Sequence, residues 1–141
     1  MKKAFLFLAL CLLGAGRAAA AEPVDSVRNV IYMIGDGMGL AHVSMLAVEG
    51  GYAPTAFDRA QGIALISTYS ANNRVTDSAA AGTALACGSK TNNGTLGLDP
   101  RGGRLQSVIE WAVAEGMTAG IAVKCHLQHA TPAAFYAHVP D

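Results

Sequence analysis

Beyond the first two dozen residues, apolar positions along the chain fall into two alternating kinds of segment. Val27 to Ile34 (VRNVIYMI) is a nearly continuous apolar run rich in β-branched residues, ending at Gly35-Asp36-Gly37-Met38-Gly39. That pattern predicts a buried parallel strand feeding a glycine turn. Leu40 to Val48 carries apolar residues at helical spacing and stops at Gly50-Gly51, which predicts a helix with glycine at its C-terminal end. Ile63 to Tyr69 (IALISTY) predicts a second strand, with Asn72-Asn73 marking the loop after it. Ser78 to Cys87 is Ala-rich, lacks proline and lies between Asp77 and Gly88, so a helix with an acidic N-cap is expected. Leu105 to Glu115 predicts a further helix, on which Leu105, Val108, Ile109, Ala112 and Val113 share a face. Thr118 to Lys124 (TAGIAVK) predicts a third strand, and Thr131-Pro132 reads as an N-cap followed by proline at the first helical position.

This order predicts an α/β fold around a mostly parallel sheet, in which ligands bind beyond the carboxyl ends of strands. Three loops then face the site: Gly35 to Gly39, Val75 to Ala79 and Lys124 to Pro132. No repeat or low-complexity linker interrupts the order.

Composition narrows the function. A length of 141 residues with 52% hydrophobic content suits one ordinary domain and excludes a disordered polar tail. Ten Lys and Arg balance ten Asp and Glu, so no basic stripe exists for a nucleic-acid backbone. Lys2 and Lys3 precede the apolar run Ala4 to Leu13, and Ala18 to Ala21 supplies an A-x-A cleavage site. Residues 1–21 therefore read as a secretory signal peptide, too short in its apolar part to span a bilayer, and the protein as secreted or periplasmic without a stable membrane anchor. Cleavage near Ala21 removes Lys2, Lys3 and Arg17 and leaves seven basic against ten acidic residues, a mildly acidic chain. Cys87 and Cys125 remain, with a bridge permitted by the oxidising compartment and two buried free thiols the alternative reading.

Each loop carries candidate chemistry. In IGDGMG the third glycine of a dinucleotide fingerprint is absent, and an Asp between glycines would repel a pyrophosphate. Asp36, flanked by residues without side chains, can instead approach a cation closely, or it is an acidic turn residue. Ser78 falls in the first turn of the Ala-rich helix, where unpaired N–H groups and the helix dipole favour an anion and place its hydroxyl against a phosphate. The plain alternative makes Asp77 or Ser78 a helix cap. His126 and His129 lie three apart in HLQHATP, but Lys124 adds positive charge and Pro132 interrupts the turn, so the pair is no zinc motif by itself. His129 is preferred because Thr131 adds an oxygen beside it.

Taken together, IGDGMG, VTDSAAAGTALACGSKTNNGTLGLD and HATPAAFYAH resemble the alkaline phosphatase family, of a secreted bacterial type, from about Val27 to Asp141. The resemblance implies a three-layer αβα sandwich and a phosphomonoesterase working with two zinc ions and one magnesium ion. Ser78 would be the nucleophile that becomes phosphoserine and a zinc ligand, and Asp77 its neighbour that orients the phosphate-binding arginine. Asp36 would bridge the second zinc and the magnesium, and Thr131 would bind that magnesium. His129 occupies a position that is Asp in some members and His in others. The resemblance further implies phosphate monoesters as substrates and a homodimer at full length.

A catalytic zinc takes about three protein ligands, and Asp36, Ser78, His129 and Thr131 fall short of what three metals need. In the family the remaining ligands lie in the C-terminal half, and the clamping arginine falls immediately after Asp141. Residues 22–141 therefore read as the N-terminal portion of a longer catalytic domain, inactive alone. The rival readings are a short phosphate-binding or scaffold protein and a phosphodiesterase of the same superfamily. A sulfatase is disfavoured, because Asp77 to Ala81 lacks a Cys-x-Pro-x-Arg motif.

Overall fold

Helices make up nearly all the regular structure in the computed structural model, which describes residues 27–140. The expected signal peptide, residues 1–21, lies outside the described residues. The chain divides into two units, Met1–Met33 and Ile34–Asp141. In the first, the described residues 27–33 have no regular secondary structure and are exposed.

The second unit contains helices α1 (Leu40–Glu49), α2 (Ser78–Cys87), α3 (Val108–Ala114) and α4 (Ala130–Ala133), and a 3-10 turn at Phe57–Arg59. Its core forms where α2 packs on α4 and on the chain just after it. Ala79, Ala80, Gly82, Thr83 and Ala86 on α2 are buried, as are Pro132, Ala133, Ala134 and Phe135. Small side chains bring these backbones close, so the contact relies on dense packing between main chains rather than on large aliphatic groups. Two buried hydroxyls are paired there: that of Thr83 donates to the Thr95 carbonyl at 3.2 Å and accepts from Gly97 N–H at 3.0 Å. Ser107 donates to the Phe135 carbonyl at 2.7 Å.

The helix expectations hold with shifted ends. α2 occupies the expected span, with Asp77 as N-cap and Gly88 as C-cap. α1 also forms where its spacing predicts, yet none of its residues is buried. α3 is shorter than Leu105 to Glu115, because Ser107 caps it: Ser107 Oγ accepts from Glu110 N–H at 3.2 Å while Glu110 Oε2 accepts from Ser107 N–H at 2.9 Å. Leu105 is drawn away, its N–H donating to the Gly97 carbonyl at 2.9 Å. α4 corrects the expected cap, since His129 is the N-cap and Thr131 and Pro132 lie inside the first turn. Proline is accepted there because first-turn N–H groups have no partner within the helix.

The expected strands at 27–34, 63–69 and 118–124 form no ladder among the described residues. Two isolated antiparallel bridges, Leu96 with Val139 and Leu98 with Arg104, are the sheet-like pairings present there. A β-branched run sets a local preference, but a strand exists only when a neighbour supplies the other half of each hydrogen bond. Cys87 and Cys125 are free thiols, and Cys125 is exposed rather than buried. Burial, and then the Glu110 carboxylate, push the Cys87 thiol above its ordinary value. Among the described residues no helix is long and apolar enough to cross a membrane.

Candidate functional site

Asp36 is presented by a tight turn in which Met38 N–H donates to the Gly35 carbonyl at 3.0 Å. Gly37 adopts φ +65°, a conformation that favours glycine, and a Cβ on Gly35 would meet Met38 at 2.8 Å. Both glycines flanking the carboxylate are thus required by the turn, and the carboxylate itself is exposed.

Ser78 is the first residue of α2. Asp77 caps it, with one carboxylate oxygen accepting from Ala80 N–H at 2.8 Å and the other from Gly94 N–H at 2.6 Å. The half-buried Ser78 hydroxyl faces Asp36, 3.1 Å from each of its carboxylate oxygens. Thr131, in the first turn of α4, donates to the same carboxylate at 2.8 Å. Two hydroxyls, 42 and 95 positions away in sequence, thus meet at the Asp36 carboxylate. His129 lies two residues before Thr131 in sequence, but neither its exposed imidazole nor that of His126 joins these hydrogen bonds.

The cluster is an all-oxygen set with one negative charge. Such donors suit a hard cation such as magnesium. Among the described residues no three His, Cys, Asp or Glu side chains gather, so these residues by themselves fall short of the ligand set of a catalytic zinc.

A segment to which sequence reasoning assigned no role fastens this geometry. Asn93 donates its side-chain amide to the Val75 carbonyl at 3.0 Å, and its backbone N–H to Asn72 Oδ1 at 3.0 Å. Lys90 donates to the carbonyls of Ser67, at 3.2 Å, and Tyr69, and stands 3.8 Å from the centre of the Tyr69 ring. Asn93-Gly94 reads as a turn from sequence; that the turn bonds to Asn72, Val75 and Asp77 just before Ser78 is a long-range fact.

Residues 27–141 match the family model described as alkaline phosphatase. Alkaline phosphatase 4 of Bacillus subtilis is 42% identical over 130 residues, covering 85% of this chain and 28% of the relative. The crystal structure of a cold-active alkaline phosphatase from a psychrophilic Shewanella superposes with TM-score 0.71 at 40% identity, covering 75% of this chain and 28% of that one. A histidine-to-aspartate mutant of the TAB5 alkaline phosphatase, with magnesium bound in its M3 site, gives TM-score 0.69 at 34% identity over 74% of this chain and 30% of that one. The chain spans about a quarter of the length of the curated relatives it matches.

Proposed function

The chain belongs to the alkaline phosphatase family, and on that premise we propose that it supplies the nucleophile and part of the metal-binding set of a phosphomonoesterase acting through phosphoserine. The observation that carries the reading is the meeting of the Ser78 and Thr131 hydroxyls at the Asp36 carboxylate, at the N-terminus of α2.

Ser78 Oγ attacks the phosphorus of a phosphate monoester, its bond to phosphorus forming as the bond to the ester oxygen breaks and the alcohol departs with a proton. Water then attacks the phosphoserine, releasing phosphate and returning the hydroxyl. Asp77 holds the first turn of α2 open toward the substrate, so that unpaired N–H groups face the phosphate oxygens. Asp36 and Thr131 would hold magnesium, Asp36 and Ser78 would each be a ligand of a zinc ion, and His129 would stand beside the third metal. When bound, two zinc ions and one magnesium ion would supply the positive charge that acidifies Ser78, screens the leaving oxygen and acidifies the attacking water.

We further propose that residues 27–141 are part of a three-layer αβα sandwich with a mostly parallel sheet, a reading supported by the superpositions. The positively charged start, apolar run and alanine cluster of residues 1–21 support secretion or a periplasmic location. The test of function is covalent trapping. In the protein carrying this chain, intact-mass analysis after acid quench should find one phosphate on Ser78 and none in a Ser78→Ala variant; phosphate retained in that variant would overturn the assignment.

A further inference from the structure

Thr131 bonds to Asp36 from a helix, α4, that packs on α2, and Gly82 lies at the contact between the two. Gly82 stands one helical turn after Ser78, and it is buried. A Cβ placed on it would sit 2.9 Å from Ala134 Cβ and 3.6 Å from both Cα and the carbonyl oxygen of Thr131. The first distance is below any sustainable contact between carbons, whose optimum is about 3.5–4.0 Å. The helices could accept that methyl only by separating. α2 is held by the Thr83 hydroxyl, bonded to Thr95 and Gly97, so at least part of the movement falls on the four-residue α4. Thr131 has its hydroxyl 2.8 Å from Asp36, and a shift of a few tenths of an ångström or more would lengthen that contact directly.

We infer that Gly82 is a positioning residue for the cation site, its missing side chain setting the approach of Thr131 to Asp36. This rests on the reading of Asp36 and Thr131 as cation ligands. Intrinsic propensity argues in the opposite direction, because alanine is the better helix former at an interior position. Helix propensity taken alone therefore predicts that Gly82→Ala strengthens α2 and leaves cation binding alone.

The test uses the protein carrying this chain, stripped with chelator and titrated with magnesium chloride, reading the rise in melting temperature and the magnesium concentration at half of that rise. Gly82→Ala should raise that concentration by about 10- to 100-fold, the usual effect of disturbing a residue that orients a ligand. Gly82→Ala with Ala134→Gly, which returns the lost space from the facing side, should restore the wild-type value. Wild-type half-saturation in Gly82→Ala would overturn the inference. So would a folded double variant that still binds weakly, and the double variant decides the matter if the single one does not fold. Asp36→Asn in the same titration separates the two levels: if it leaves half-saturation unchanged, the ligand reading itself fails, whereas a loss there without a loss in Gly82→Ala removes only the role of Gly82.

Discussion

Asp36 accepts from two hydroxyls and carries the only formal charge in the cluster, so its substitution should differ in kind from that of Ser78. Asp36→Asn removes the charge while keeping the shape, and it should lower magnesium and zinc content as well as turnover, with affinity falling by at least about tenfold. Elemental analysis of purified variants checks this, and unchanged metal content would refute the ligand role. The candidacy of Asp36 and Ser78 was legible in sequence because both lie in short motifs whose chemistry is local: a carboxylate between glycines, a hydroxyl at a helix start. Thr131 was legible as an oxygen near histidines, but its place in α4 was not. The competing caps, His129 and Thr131, differ by two positions, and the bond to Asp36 gives the Thr131 hydroxyl a partner outside its own helix.

At the scale of elements, α3 offers the clearest energetic test. Ser107 is 1% exposed and serves two structures at once, capping α3 through Glu110 N–H and donating to the Phe135 carbonyl. Ser107→Ala loses both the cap and the hydrogen bond to the Phe135 carbonyl, and should cost about 1–3 kcal/mol in denaturant unfolding of the protein carrying this chain. Glu110 adds a pH dependence. The Ser107 N–H above all, with Arg104 and His138 contributing, holds its carboxyl below its ordinary value of 4.5. A depressed folded value means that the stabilisation is complete above 4.5 and is lost as pH falls through the folded value. Unfolding midpoints should therefore drop on acidification below 4.5 in the wild type, and less steeply in Glu110→Gln. Equal slopes in the two proteins would remove the carboxylate from the account.

The described residues leave much apolar surface in solvent: Ile31 and Met33 are each 87% exposed, Ile63 89% and Leu65 79%. Large apolar side chains left in solvent in this number are an aggregation liability. Residues 22–141 produced alone should be poorly soluble and should show no zinc-dependent hydrolysis of an aryl phosphate. The cluster also supplies too few ligands to acidify Ser78, whose hydroxyl keeps an alcohol's reluctance to ionise. Purifying that segment, adding zinc and magnesium and assaying it beside Ser78→Ala checks this; robust turnover absent from the variant would show the segment to be an enzyme by itself.

Local chemistry determined what sequence could decide: α2 with its Asp77 and Gly88 caps, the existence of α1 and α3, the turn around Asp36 and the family motifs all follow from contacts within about one helical turn. Tertiary structure decided the rest. Strand segments such as 63–69 need partners that no local preference supplies. α4 starts at Ala130, and the Thr131 hydroxyl inside its first turn bonds to Asp36 across 95 positions. The spacing of that pair depends on Gly82 facing Ala134, a contact between positions 52 apart, and sequence patterns carry no measure of such a distance.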